Sequence, residues 1–266
     1  MSDAIFELQQ GESPLLISVP HDGRALPPDI AQRMTTAAQT LPDTDWHVAR
    51  LYDFARELGA SIITARYSRY VVDLNRPPDD RALYPRQLTT GICPAQSFDG
   101  ARLYLDGSDV APAEQRARID RYWRPYHEGI AKLLDARRKA HGYALLWDAH
   151  SIASEVPGLF DGELPVLNLG TNKGLSCASA IESALAHDAH ASPYSAVCNG
   201  RFTGGYITRH FGRPGEQLHA VQLELAQRSY MDEKTLRYDS LAGEKLQAVL
   251  RKLLQTFSVT AQQIHA

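Results

Sequence analysis

Short apolar runs alternate along the chain with longer stretches of periodic polarity. Residues 14–20, PLLISVP, are apolar and bounded by prolines, the pattern of a buried strand. Residues 43–60, DTDWHVARLYDFARELGA, carry Trp46, Leu51, Phe54 and Leu58 near helical spacing and reach a stop at Gly59, predicting a helix. Residues 61–75, SIITARYSRYVVDLN, predict one or two strands, barred from continuing by Pro77 and Pro78. A helical pattern runs from Ala113 to about His141, with Ile119, Tyr122, Tyr126, Ile130, Leu133 and Leu134 as its apolar positions and Pro125 placed to kink or divide it. GYALLWDAH (142–150) predicts another buried strand, GLSCASAIESALAH (174–187) a helix, and GRFTGGYITRHFGRPGEQ (200–217) strands and turns. In HAVQLELAQ (219–227), Val221, Leu223 and Leu225 alternate with Gln222 and Glu224, the period of a strand. A helix over about 241–254 closes the pattern.

Strands separated by helices predict one α/β domain over residues 1–266, with a mixed or mostly parallel central sheet flanked by helices. Residues 77–109 are rich in Pro, Gly and Asp and lack periodicity; an excursion of that length predicts an active-site or surface loop. The formal charge of -3 offers no electrostatic case for a nucleic-acid partner. No run reaches the roughly 18 apolar residues of a membrane span. MSDAIFELQQ lacks the basic segment and long apolar run of a secretory signal. Cys93, Cys177 and Cys198 form an odd, widely spaced set without CxxC, so a reduced cytoplasmic setting is expected and a cysteine zinc site is not.

Ligand groups in α/β folds gather at the carboxyl ends of strands. His21 follows the first strand, Arg76 the second strand region, and His150 the third. Each histidine alone reads as a turn residue; their matched placement makes joint metal ligation the sharper reading. Zn²⁺, or another divalent metal, accepts two neutral imidazoles and a carboxylate and leaves a position for water. Asp22, Asp43, Asp45 and Asp148 are the candidate carboxylates, and Asp45 is preferred because the start of a helix can project it toward the strand ends. The same residue is favoured in a first helical turn without any metal. Asp148, two residues before His150, could orient it or its neighbours.

Glu224 sits on the strand face opposite Val221, Leu223 and Leu225. Burying an unpaired carboxylate in a covered sheet is costly, and a place beside an activated water would relieve that cost and provide a general base. Arg76, Arg201 and Arg209 stand beside prolines or glycines that shape turns. Guanidinium groups there suit the carboxylates of an acidic small molecule, with Asn75 and His210 able to complete the contacts. Other chemistries lack their signatures: there is no G-x-S-x-G, G-x-x-x-x-G-K-[ST] or G-x-G-x-x-G. His127–Glu128 opens like H-E-x-x-H but Ala131 stands where the second histidine belongs. DAHS shares its DAH with the binuclear manganese ureohydrolases, whose next aspartate ligand is Ile152 here.

Taken together, SVPHDGR, DTDWHVARLYDFARELGA, YSRYVVDLNRPPDD, LLWDAHS, NGRFTGGYITRHFGRP and AVQLELAQRSYMDE resemble the N-formylglutamate deformylase (N-formylglutamate amidohydrolase) family, in order, from about Ser13 to beyond Glu233. The resemblance implies a metal-dependent hydrolase with a phosphorylase/hydrolase-like fold related to zinc carboxypeptidases. It implies hydrolysis of N-formyl-L-glutamate to L-glutamate and formate, a terminal step in one route of histidine degradation. It maps metal ligands to His21 and His150, an acidic ligand to Asp45 with Asp43 open, and a general base to Glu224. Arg76 and Arg209 become substrate-carboxylate binders, with Arg201 a further candidate. An amidohydrolase for another N-acylated acidic amino acid and a module binding a small acidic ligand are the alternatives.

Overall fold

The computed structural model describes residues 4–82 and 90–266. Its strands are β1 (Phe6–Gln9), β2 (Leu15–Val19), β3 (Ser61–Ala65), β4 (Ala144–Ile152), β5 (Leu167–Gly170), β6 (Ala196–Cys198) and β7 (Leu218–Ala226). The α-helices are α1 (Pro28–Ala31), α2 (Thr36–Gln39), α3 (Val48–Leu51), α4 (Pro112–Arg118), α5 (Arg124–His141), α6 (Ser179–His190), α7 (Tyr206–Phe211) and α8 (Ser240–His265). The seven strands form one mixed sheet in the order β1-β3-β2-β4-β7-β5-β6. β3, β2, β4 and β7 are mutually parallel, β1 pairs antiparallel to β3 and β5 antiparallel to β7, and β6 pairs parallel to β5. A separate antiparallel pair, Met231–Asp232 with Arg237–Tyr238, lies after β7.

Helices cover both faces, so the central strands are buried end to end. On one face Ile17, Trp147 and Leu223 pack with Ile181 of α6 and with Leu250, Leu253 and Phe257 of α8. On the other, Leu16, Leu146 and Ala220 pack with Tyr126 and Ile130 of α5 and Phe211 of α7. The buried positions of α8, Leu246, Leu250, Leu253, Leu254 and Phe257, recur at helical spacing, and Asp239 caps its start by accepting the Ala242 N–H at 3.0 Å. No helix of the described residues is long and apolar enough to cross a membrane.

Three local expectations give way to tertiary contacts. The helix expected over 43–60 is a four-residue α3 followed by a 3₁₀ segment, Asp53–Leu58. Its first residues are tied elsewhere: Asp45 N–H donates to the His21 carbonyl, and Asp22 Oδ2 accepts the Ala49 N–H. The strand of 61–75 stops at Ala65, after which Ser68 accepts from Tyr70 and Val71 in a turn. The turns expected over 200–217 contain α7, whose first N–H groups, on Tyr206 and Ile207, are satisfied by the carbonyl and side-chain oxygens of Asn75. Pro125 marks the change within its helical stretch without breaking it: α4 runs through a π-helical turn, Ile119–Trp123, into α5, and that wider turn accommodates the proline ring and its missing N–H.

Candidate active site

β2, β4 and β7 run in one direction, so their carboxyl ends meet at one edge of the sheet. His21 lies two residues beyond β2, His150 near the end of β4, and Glu224 near the end of β7. Because strand side chains alternate, Asp148 and His150 leave the face that takes Trp147 and Ala149, and Gln222 and Glu224 leave the face that takes Val221 and Leu223. His150 and Glu224 are register partners, one strand spacing (about 4.8 Å) apart.

Asp45 reaches this edge from the segment before α3. His150 Nδ1 lies 2.9 Å and His21 Nδ1 3.8 Å from Asp45 Oδ2. Ligand-capable atoms of His21, Asp45 and His150 all fall within 4.8 Å of one another, and all three residues are buried. Asp43 takes a different place: its Oδ2 accepts the Phe98 N–H at 2.9 Å. The far ring nitrogens also have partners. His21 Nε2 bonds to Asp73 Oδ1 at 2.8 Å, and His150 Nε2 lies 3.3 Å from Asp148 Oδ2 and 2.9 Å from Asn75 Nδ2. His21 Nδ1 is buried with no hydrogen-bond partner, an arrangement that wastes a nitrogen lone pair unless something electrophilic occupies the gap. Two imidazoles and a carboxylate, with carboxylates behind both rings, fit a divalent cation.

The electrostatics agree with that fit. Burial, aided by the Arg69 charge, lowers the His21 pKa and favours the neutral ring that a metal needs. Burial works against the Asp45 carboxylate, but the His150 hydrogen bond and the charges of His21, His150 and Arg69 outweigh it and hold Asp45 below the usual range. Burial also opposes a charged His150, and there the carboxylates of Asp148 and Asp45 win, raising its pKa well above the ordinary value. A cation entering between the rings would displace that proton. Glu224 is pushed up to about 8, first by burial and then by Asp45 and Asp148 against the opposing pull of His150 and Arg69. Gln222 Nε2 donates to its Oε2 at 3.2 Å.

These groups open on a cavity of about 90 Å³ lined by His21, Asn75, His150 and Glu224 together with Arg69, Arg76 and Arg201. Thr90 and Phe98, from the described part of the 77–109 excursion, also line it; residues 83–89 lie outside the described residues. Arg209 and His210 line a different recess, with Arg81, Tyr206 and Arg213. Arg209 Nε donates to the Gly204 carbonyl and Nη2 to Thr203 Oγ1, bracing the glycine turn before α7. Asn75 is a brace as well, its Oδ1 accepting from Ile207 and its Nδ2 lying on Asp148 and His150. Gly205 is required beside it, since a Cβ there would come within 2.3 Å of Asn75 Nδ2.

Residues 13–231 match the family model of N-formylglutamate amidohydrolase. The chain belongs to the N-formylglutamate amidohydrolase family. It is 50% identical over 266 residues to an N-formylglutamate deformylase of Pseudomonas aeruginosa, covering 99% of this chain and 100% of that protein. An N-formylglutamate deformylase of Pseudomonas putida is 49% identical over 255 residues, 95% of each chain. The fold matches the crystal structure of an N-formylglutamate amidohydrolase from Ralstonia eutropha with a TM-score of 0.82 at 24% identity, over 97% of each chain. A gene product of Agrobacterium tumefaciens matches with a TM-score of 0.67 at 19% identity, over 95% of this chain and 96% of that one.

Within this amidohydrolase fold, sequence reasoning missed Arg69 and Asp73. Arg69 Nη2 donates to Asp73 Oδ2 at 2.8 Å and its Nη1 lies 3.5 Å from Asp45 Oδ1, so one guanidinium joins the partner of His21 to the carboxylate beside His150. Their spacing of four in YSRYVVDLN is the only signal available, and a strand reading points them to one face without saying what they meet. Ser151 was missed too; its N–H donates to Asp45 Oδ2 at 3.1 Å.

Proposed function

We infer that this chain is an N-formylglutamate deformylase, hydrolysing N-formyl-L-glutamate to L-glutamate and formate in histidine degradation. The observation that carries the reading is the meeting of His21, Asp45 and His150 beside Glu224 in a cavity with three arginines, in a chain half identical to named deformylases. His21 and His150 through Nδ1, and Asp45 through its carboxylate, would hold the cation, Zn²⁺ being the ion this donor set suits best. When bound, it supplies a Lewis acid for the formyl oxygen and a water acidified from about 15.7 toward 7.

Glu224 takes the proton of the attacking water and returns it to the departing amide nitrogen. A carboxylate can perform both transfers, accepting the proton and then donating it, and Gln222 holds Glu224 through one oxygen so that the other stays free. Asp73 and Asp148 hold the imidazole rings. Arg76 and Arg201 hold the α- and γ-carboxylates of the substrate, through two-pronged hydrogen bonds that place the formyl carbon. Arg209 supports the turn that carries α7, and His210 stands outside the cavity. One domain over 1–266, with the 77–109 loop forming part of the cavity wall, and a cytoplasmic setting complete the proposal.

The test is formate release from N-formyl-L-glutamate by metal-replete protein against a chelated control. Turnover that survives chelation ends the metal reading, and absence of turnover with bound metal ends the substrate reading. N-acetyl and N-succinyl glutamate in the same assay separate a deformylase from a broader N-acyl amidohydrolase.

A further inference from the structure

We propose that the recess behind Phe98 and Ile152 is an acyl-chain pocket, walled off by Phe98 so that the formyl group is selected over longer acyl groups. The inference rests on the deformylase reading and adds to it what limits the acyl group. Phe98 and Ile152 line both the catalytic cavity of about 90 Å³ and a second cavity of about 200 Å³. Thr44, the chain neighbour of Asp45, and Ala153, the chain neighbour of Ile152, line the second cavity. Gln227, also in its lining, donates to Ser151 Oγ at 3.3 Å, and Ser151 belongs to the catalytic cavity. That hydrogen bond therefore links the lining of one space to the lining of the other.

Their linings differ in charge. The catalytic cavity presents Arg69, Arg76 and Arg201 alongside the carboxyl groups of Asp73 and Glu224. The described lining of the recess contains no basic residue and includes Asp43, Asp99 and Glu155, with Pro42, Val156 and Pro157 as its apolar surface. Substrate carboxylates are thus repelled from the recess and held by the arginines, while an uncharged hydrocarbon chain meets apolar surface. The wall itself is fixed. Phe98 is anchored by its N–H to Asp43 Oδ2 at 2.9 Å, the Arg69 guanidinium lies 4.7 Å from its ring centre, and its side chain packs on the cluster of Ile152 and Val156. An acyl group longer than formyl must displace that ring, and a side chain so held resists displacement.

The experiment compares kcat/KM for N-formyl-, N-acetyl- and N-butyryl-L-glutamate in the metal-replete full chain, in Phe98→Ala, and in the milder Phe98→Leu. The butyryl-to-formyl ratio is expected to rise about tenfold or more in Phe98→Ala and less in Phe98→Leu, as one to several methylenes gain a place to bind. Refilling the recess with Ala153→Phe in the Phe98→Ala background is expected to bring the ratio back toward that of the unaltered chain. A ratio unchanged in both variants, or a rise that survives the refilling, overturns the pocket. An unaltered chain that releases no formate defeats the deformylase reading and this inference together, whereas normal formate release with unchanged ratios defeats this inference alone.

Discussion

Asp73 Oδ1 lies 2.8 Å from His21 Nε2, so the nitrogen left without a partner is Nδ1, the one facing Asp45. A carboxylate behind an imidazole fixes its tautomer and raises the basicity of the other nitrogen. Asp73 keeps its charge although burial opposes it, because Arg69 and His21 outweigh that penalty and hold its pKa well below the usual range. Asp73→Asn is therefore expected to weaken metal binding by about 10–100-fold. Competition with a chelator of known affinity measures this, and an unchanged dissociation constant would rule out the orienting role.

Glu224→Gln keeps the side-chain shape and the strand but removes the base. Hydrolysis is expected to fall by about 10²–10⁴-fold, the usual contribution of a positioned acid–base group. Bound metal, counted by elemental analysis, should remain near one per chain within about twofold. Near-normal turnover in metal-replete protein would remove Glu224 from the mechanism.

Arg76 and Arg201 are expected to act on substrate affinity. Losing a hydrogen-bonded charge pair costs about 1.5–3 kcal/mol, so Arg76→Ala and Arg201→Ala should each lower kcat/KM for N-formylglutamate by roughly 10–100-fold. The loss should be smaller for N-formylalanine, which has only one carboxylate for the pair to hold. Equal losses on both substrates would show that neither arginine reads the second carboxylate.

His127 supplies a pH dependence away from the site. Its Nε2 is bonded to the Leu74 carbonyl at 2.8 Å, its ring stacks on Trp123, and burial pushes its pKa down to about 3. The unfolded chain takes up this proton near pH 6.5 and the folded one only near 3, so the folded state loses stability as pH falls between those values. The slope is at most about 1.4 kcal/mol per pH unit. His127→Gln is expected to unfold more easily at pH 7 yet to show a shallower acid loss, measured by denaturant melts from pH 7 to 4. Parallel pH profiles for the two proteins would contradict it.

Gly205 tests the brace between distant segments. A Cβ at this position meets the Asn75 amide, whose two ends hold α7 and the Asp148–His150 side of the site. Gly205→Ala should cost about 1–3 kcal/mol of stability, as overpacking does, and should lower metal affinity along with it. A variant with unaltered melting and metal binding would mean the amide moves aside freely.

Much of the fold is legible locally. LLISV and ALLWDAHSI are apolar runs too short for helices, and the apolar spacing in 241–254 marks a helix that in fact continues to His265. β1, β5 and β6 carry no such signal, being only three or four residues long and stabilised by their neighbours in the sheet. α7 was hidden because its start is satisfied by Asn75, more than a hundred residues earlier.

By itself the sequence determined which faces are buried, which histidines and which glutamate end the central strands, and which family blocks it carries, since those depend on spacing along the chain. Only the tertiary structure decided that Asp45 and not Asp43 stands between the two imidazoles, that Arg69 joins Asp73 to Asp45, and that Arg209 lines a different recess. The reason is physical: convergence depends on the strand order β3-β2-β4-β7 and on hydrogen bonds that bend the chain after each strand. A one-dimensional pattern reports which side of an element meets water, but not what waits across the cavity from it.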